Sequence, residues 1–377
     1  MEFFATAAKG TEGALRDELR ELRLRKVRAD RGGVHFEGEL RDGMRACLHS
    51  AVAVRILWRL GEFEAPTGDA LYAGARGIDW SPFVDSRRTL SVSASSKASA
   101  LTHTQFVAQR TKDAIVDQIR DKTGARPSVN TESPDLHVTV HVLRDRATIY
   151  ADLAGDSLHR RGYRPRIGGA PLKETLAAAI VRLAGWDGAI PFVDPMCGSG
   201  TIAIEAAMSA RRIAPGILRP KFGVERWVLF GPEDVRTFAL LRQEARENQL
   251  PEGPDVRGSD LDPFMIDTAR ANANAAGVKI QWSLADVSKF EAPPGQFVLV
   301  TNPPYGERLA GGAKLYGAMA SRFRSLRDAT VAIFSGTPDI ESAMGRRPSR
   351  WLMMWIGPIE CRLLVYERHG RPSLSGV

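Results

Sequence analysis

Two short stretches of the 377-residue chain hold residue types that together could carry out group transfer. The first is "LVTNPPYGERL", beginning at Leu299. A run of Val and Leu that reads as a buried strand ends in Asn302, Pro303, Pro304 and Tyr305. Proline cannot donate to a ladder, so the strand stops and the chain projects rigidly. The side-chain oxygen of Asn302 and the carbonyl of Pro303 are then fixed acceptors. An exocyclic base amine is a poor nucleophile because its lone pair delocalises into the ring. Accepting hydrogen bonds from its two N–H groups lets the nitrogen pyramidalise and aim that lone pair at an electrophilic methyl group. Tyr305 can stack on an extruded base. Taken alone, the four residues equally make a stiff strand-to-loop turn.

The second stretch is "VDPMCGSGT", residues 193 to 201, between a strand and a helix. Gly198 and Gly200 allow close backbone approach to a ligand. Thr201 adds a hydroxyl, and the helix offers free N–H groups. The pattern is neither G-x-G-x-x-G nor a phosphate loop. A carboxylate at Asp194 would oppose a pyrophosphate and favour a cationic amino group, such as the methionine end of S-adenosyl-L-methionine. The next strand ends in "GSDLD", where Asp260 can accept from two ribose hydroxyls. A third ends in "LADVS", where Asp286 can accept from an adenine amino group. Each could instead be a helix N-cap. Asp260 lies 66 residues beyond Asp194, whereas dinucleotide folds place their acidic residue about 20 residues after the turn. Residues 211–254 therefore read as an insertion, its Phe222 and Trp227 either a substrate wall or a structural extension.

These residues need strand ends to hold them. From about residue 158 strands and helices alternate: "LKETLAAAIVRLAGW", "IPFVDP", "TIAIEAAMSARR", "DVRGSDLD", "PFMIDTARANANAAG", "KIQWSLAD", "FVLVTNPPY" and "ATVAIFSG". That alternation predicts a mostly parallel sheet with helices on both faces. "WLMMWIGPIECRLLVYE" predicts a closing hairpin around Gly357-Pro358. Residues 1–157 mix short elements into an α+β region: strands at "EFFATA", "GGVHFEG" and "TLSVSASS", and a helix at "TEGALRDELREL". "TQFVAQRTKDAIVDQIRDKTG" predicts a helix capped at Gly124, with Phe106 on its apolar face. "LHVTVHVLRDRATIYADL" predicts a hairpin turning at Arg144-Asp145.

Lys plus Arg is 52 and Asp plus Glu is 44, a net charge of +8 that favours an anionic partner, nucleic acid first. "LHRRGYRPRIGGAP" reads as a basic linker whose Arg160, Arg161, Arg164 and Arg166 are candidate phosphate contacts or simply solvated. Cys47, Cys197 and Cys361 are scattered, which suggests no zinc site and fits a reducing cytosol. No apolar run is long enough to span a membrane, and "MEFFATAAKG" lacks the marks of a signal peptide. A cytoplasmic location is the expectation.

"DSLHRRGYRPRIGGAPLKETLAAAI", "DPMCGSGTIAIEAA" and "NPPYGERL", with "RGGVHFEG" and "TKDAIVDQI", resemble the bacterial 23S rRNA (guanine-N2)-methyltransferase family over nearly the whole chain. The resemblance implies a ferredoxin-like lobe (1–45), a THUMP RNA-binding domain (46–157) and a class I Rossmann-like methyltransferase domain (158–377), its seven-stranded sheet ending in a β-hairpin. It implies S-adenosyl-L-methionine as cofactor, held at Asp194, Gly198, Gly200, Thr201, Asp260 and Asp286, and Asn302, Pro303, Pro304 and Tyr305 as the target-base motif. The implied partner is 23S rRNA, with tRNA as the alternative; an adenine-N6 methyltransferase and a non-catalytic RNA-binding factor are the rivals. The residues imply no metal.

Overall fold

The computed structural model describes residues 1–164, 172–304 and 312–368. The chain forms two compact units. The first comprises residues 1–7, 16–160 and 219–244; the second comprises 8–15, 161–218 and 245–377.

The first unit is built on one eight-stranded sheet. Its strands are β1 (Glu2–Thr6), β2 (Arg25–Asp30), β3 (Gly33–Glu37), β4 (Arg55–Glu64), β5 (Thr89–Lys97), β6 (Ser128–Val129), β7 (Leu136–Leu143) and β8 (Arg146–Asp152). They run in the order β2-β3-β1-β4-β8-β7-β5-β6, so the β1–β4 pairing joins the strands of residues 1–45 to those of residues 46–157 in one sheet. The helices are α1 (Glu12–Glu21), which belongs to this unit from residue 16, α2 (Leu40–His49), α3 (Gly68–Arg76) and α4 (Thr104–Thr123). The β7–β8 turn is where expected: Arg144 and Asp145 both adopt positive φ, 50° and 58°, which suits the right-handed twist of the flanking strands. Helix α4 is capped at its start by the His103 ring and closed by Gly124 at φ 79°. Phe106, expected on its buried face, is 45% exposed. It stands four residues before Arg110, on the polar side of the helix, whereas Val107 begins the buried stripe.

The insertion belongs to this unit from residue 219 to 244. Phe222 and Trp227 are each 1% exposed. The Trp227 ring lies 5.3 Å from Phe83 and 6.3 Å from Trp58. Neither side chain is available as a substrate wall; both complete an aromatic core. Arg219 anchors the insertion by donating to the carbonyls of Ala154, Asp156, Ser157 and Arg160.

The second unit is built on a seven-stranded sheet. After α5 (Glu174–Leu183), β9 (Phe192–Asp194) and α6 (Thr201–Ala210), and after α7 (Pro232–Glu247), which lies in the first unit up to residue 244, come β10 (Val256–Asp260) and α8 (Pro263–Ala276). Then follow β11 (Gln281–Leu284), β12 (Phe297–Thr301), α9 (Gly312–Arg324), β13 (Ala329–Ser335), α10 (Asp339–Met344), β14 (Arg350–Ile356) and β15 (Ile359–Tyr366). The order is β11-β10-β9-β12-β13-β15-β14. The first five strands are parallel, and β14 and β15 form the expected antiparallel hairpin. All five residues of β12 are buried, as a central parallel strand requires. Because β10 and β11 build outward on one side of β9 and β12 on the other, the strand order reverses between β9 and β12. Open α/β sheets bind ligands at the carboxyl side of such a switch. No helix among the described residues is long and apolar enough to cross a membrane.

If Trp227 is core, Trp227→Ala empties a space between two rings and costs the first unit about 3–5 kcal/mol. Thermal denaturation should show a large downward shift; an unchanged transition would return Trp227 to the surface role.

Candidate active site

Asp194 ends β9 and Thr301 ends β12, on the two sides of the switch. Thr301 donates its hydroxyl to Asp194 Oδ1 at 3.0 Å, and the Met196 N–H donates to the same oxygen at 3.3 Å. Asp194 is 1% exposed. Burial raises its pKa to about 7, against the lowering effect of these two donors. Among the described residues no cation pairs with this carboxylate, and a ligand's ammonium group would suit it.

The glycine turn follows. Gly198 has φ 53° and open space where a Cβ would point. Its N–H donates to Asp260 Oδ2 at 2.8 Å, so the ends of β9 and β10 are tied through the turn. Gly200, at φ 84°, opens α6, and a Cβ there would lie 2.7 Å from the Trp282 ring. Trp282 also covers Gly258, where a Cβ would lie 2.2 Å from the ring. Asn272 of α8 donates to the Ser199 carbonyl at 3.1 Å. The turn is thus held from β10, β11 and α8. Cys197 beside it is buried, and burial pushes its thiol well up, so it packs and is no nucleophile.

Asp260 accepts one backbone N–H on each oxygen, from Gly198 and Asp262, leaving lone pairs for further donors. The helix N-cap is the neighbouring Asp262, which accepts from Phe264 N–H. Asp286 accepts from the N–H and hydroxyl of Ser288, which lower its pKa. Sequence reasoning missed the apolar pair between them. Leu261 and Leu284 are 69% and 60% exposed at the ends of paired strands. Large apolar side chains left in water beside two carboxylates are a surface on which a purine ring could lie. The signal was available in "DLD" and "SLAD": a leucine within two residues of each acidic one.

At the end of β12, Asn302 Oδ1 is buried without a hydrogen-bond partner among the described residues. An orphaned buried acceptor costs about 1–3 kcal/mol. It sits one residue beyond the Thr301 that holds Asp194. Pro303 is buried and Pro304 half-buried, while Tyr305 lies outside the described residues. The Pro304 carbonyl accepts from the Tyr316 hydroxyl at 2.9 Å.

The basic segment corrects two expectations. Arg161 is 1% exposed and pairs with Glu205, which also accepts from the Tyr163 hydroxyl at 3.0 Å. Arg164 donates to the Thr201 hydroxyl and to the Leu172 carbonyl, and its Nε lies 3.2 Å from Glu174. Residues 161–164 are therefore packed rather than a solvated linker, because their guanidinium groups meet buried carboxylates. Neither Arg161 nor Arg164 is free for a phosphate. The Thr201 hydroxyl, expected at the cofactor, receives Arg164 instead. Arg160 remains 70% exposed beside Asp156. Arg166 lies outside the described residues.

A family model described as the RMKL-like methyltransferase domain matches residues 161–364, more than half of the chain. The chain belongs to the RMKL-like methyltransferases. This is the methyltransferase kinship expected from "DPMCGSGT" and "NPPYGERL". Models for the RlmL ferredoxin-like domain and the THUMP domain match residues 2–57 and 66–152. The ribosomal RNA large subunit methyltransferase K/L of Syntrophotalea carbinolica is 40% identical over 383 residues, covering 97% of this chain and 53% of that protein. This RMKL-like chain spans about half the length of the curated relatives it matches. Among solved structures, SMU.472 complexed with SAH is 31% identical, with a TM-score of 0.88 over 98% of this chain and 99% of that one. A predicted N6-adenine-specific DNA methylase from Listeria monocytogenes is also 31% identical, with a TM-score of 0.87 over 97% of this chain and 96% of that one.

Replacing Arg161 separates a packed ion pair from a phosphate contact. Arg161→Met strands the buried Glu205 carboxylate and should cost about 3–5 kcal/mol in denaturant unfolding. Adding Glu205→Leu should restore much of that loss. Unchanged stability in Arg161→Met would contradict the packed assignment.

Proposed function

We propose that this chain transfers a methyl group from S-adenosyl-L-methionine to the exocyclic N2 of a guanine in 23S rRNA. The observation that carries this reading is the orphaned Asn302 oxygen, a fixed acceptor beside the switch that holds Asp194. When bound, the cofactor supplies an electrophilic methyl on sulfur. Asp194 fits its ammonium group, the Gly198–Gly200 turn its close passage over backbone, Asp260 its ribose hydroxyls, and Leu261, Leu284 and Asp286 its adenine.

The chain's own part in the reaction is to accept and orient. Asn302 Oδ1 and the Pro303 carbonyl accept the two N–H groups of the target amine, which keeps its lone pair out of the ring. Tyr305 stacks on the base. No residue need remove a proton before transfer, because the amine attacks neutral and loses its proton afterwards. RNA is the substrate favoured by the net charge of +8, by the THUMP match and by the names of the relatives. The lobes at 1–45 and 46–157 would capture it, with Arg160 and Arg166 as phosphate contacts.

A second reading, an adenine N6 target, has its own support. Asn302 would accept from that amine equally well, and the Listeria neighbour carries that name. Incubation with unmodified 23S rRNA, tRNA and DNA, followed by nucleoside analysis, separates the two. The expected product is N2-methylguanine in 23S rRNA. Asn302→Ala should lower the rate by roughly 10²–10³-fold with RNA affinity retained. Methyladenine as the product, or full activity in Asn302→Ala, would overturn the guanine or the motif assignment respectively.

A further inference from the structure

Tyr316 lies in α9, 4% exposed, in the apolar cluster with Met319, Phe323, Phe290 and Leu299. Burial raises the pKa of its hydroxyl, so it is a neutral donor. A phenol in such a core needs a partner, and it has one: the Pro304 carbonyl at 2.9 Å.

The position of that contact matters because of what surrounds it. Pro303 and Pro304 have no N–H, so the segment cannot anchor itself through backbone donation. Their carbonyls are the only polar groups the two prolines carry. Proline also locks φ near −65°. Fixing the Pro304 carbonyl fixes the peptide plane that follows Pro304. With φ of Pro304 locked, the plane before it is confined too, and that plane carries the Pro303 carbonyl. One hydrogen bond from α9 thereby narrows the directions open to the Pro303 carbonyl.

We propose that Tyr316 is a positioning residue for the methyl transfer, aiming the Pro303 carbonyl by holding the Pro304 carbonyl. The proposal rests on the reading that Asn302 to Tyr305 hold the target amine. Tyr316 acts through the proline pair, because its hydroxyl is taken up by the Pro304 carbonyl.

Tyr316→Phe keeps the packing and deletes only the donor. On unmodified 23S rRNA the variant should lose kcat by roughly five- to tenfold. KM for the RNA and the cofactor dissociation constant should stay within about twofold of wild type, because the deleted hydroxyl donates to the Pro304 carbonyl. A wild-type kcat in Tyr316→Phe overturns the proposal. So does a loss of kcat matched by weaker cofactor binding and a collapsed melting temperature, which would mark Tyr316 as ordinary core. A wild-type protein that methylates a ring carbon and no exocyclic amine overturns the reading beneath, and the proposal with it; methylation of adenine N6 leaves the variant's test in force.

Discussion

A carboxylate taken out of water at the reversal of a parallel sheet is the constraint around which the second unit is arranged. Asp194 is held by one side-chain hydroxyl and one backbone N–H, too little to offset burial of a charge. Its pKa therefore rises to about 7. In the unliganded protein such a group contributes stability at low pH that is lost as pH rises through about 7. A bound ammonium group reverses that cost. The fold retains a group that destabilises it near neutrality, which makes sense if a cationic ligand completes it.

The neighbouring features follow from the same junction. Thr301 ties β12 to β9, and the next residue is the unsatisfied Asn302. Gly198 ties β9 to β10 through Asp260. The acceptors proposed for a cation, for ribose and for a base amine thus stand at three adjacent strand ends. Trp282 and Asn272 brace the turn from behind, and the Arg164–Thr201 contact braces the first residue of α6. Rigid support of this kind is what orientation-based catalysis requires.

Much of this was legible in the sequence because it is local. Alternation of strand and helix, the Arg144-Asp145 turn, the Gly124 cap and the closing hairpin each depend on residues within a few positions of one another. Strand β4 was not legible: its register shifts between Arg59 and Gly61, which breaks the alternation that marks a half-buried strand. The insertion was recognised by length but not by destination, since Trp227 finds its partners Trp58 and Phe83 far away in the chain. The arginines misled for a related reason. Arg161 and Arg164 look like surface charge until Glu205 and Glu174 are brought beside them. Composition reports charge; only the fold reports its partner.

The most direct test concerns Asp194 itself. Calorimetric titration of the protein with S-adenosyl-L-methionine, about one pH unit below 7 and in buffers of different ionisation enthalpy, counts the protons exchanged on binding. Nearly one proton should be released per cofactor bound, and the affinity should rise about tenfold per pH unit until it levels near pH 7. In Asp194→Asn the release should vanish and binding should weaken. Tight binding with no proton released and no pH dependence would contradict the claim that a cation completes this carboxylate.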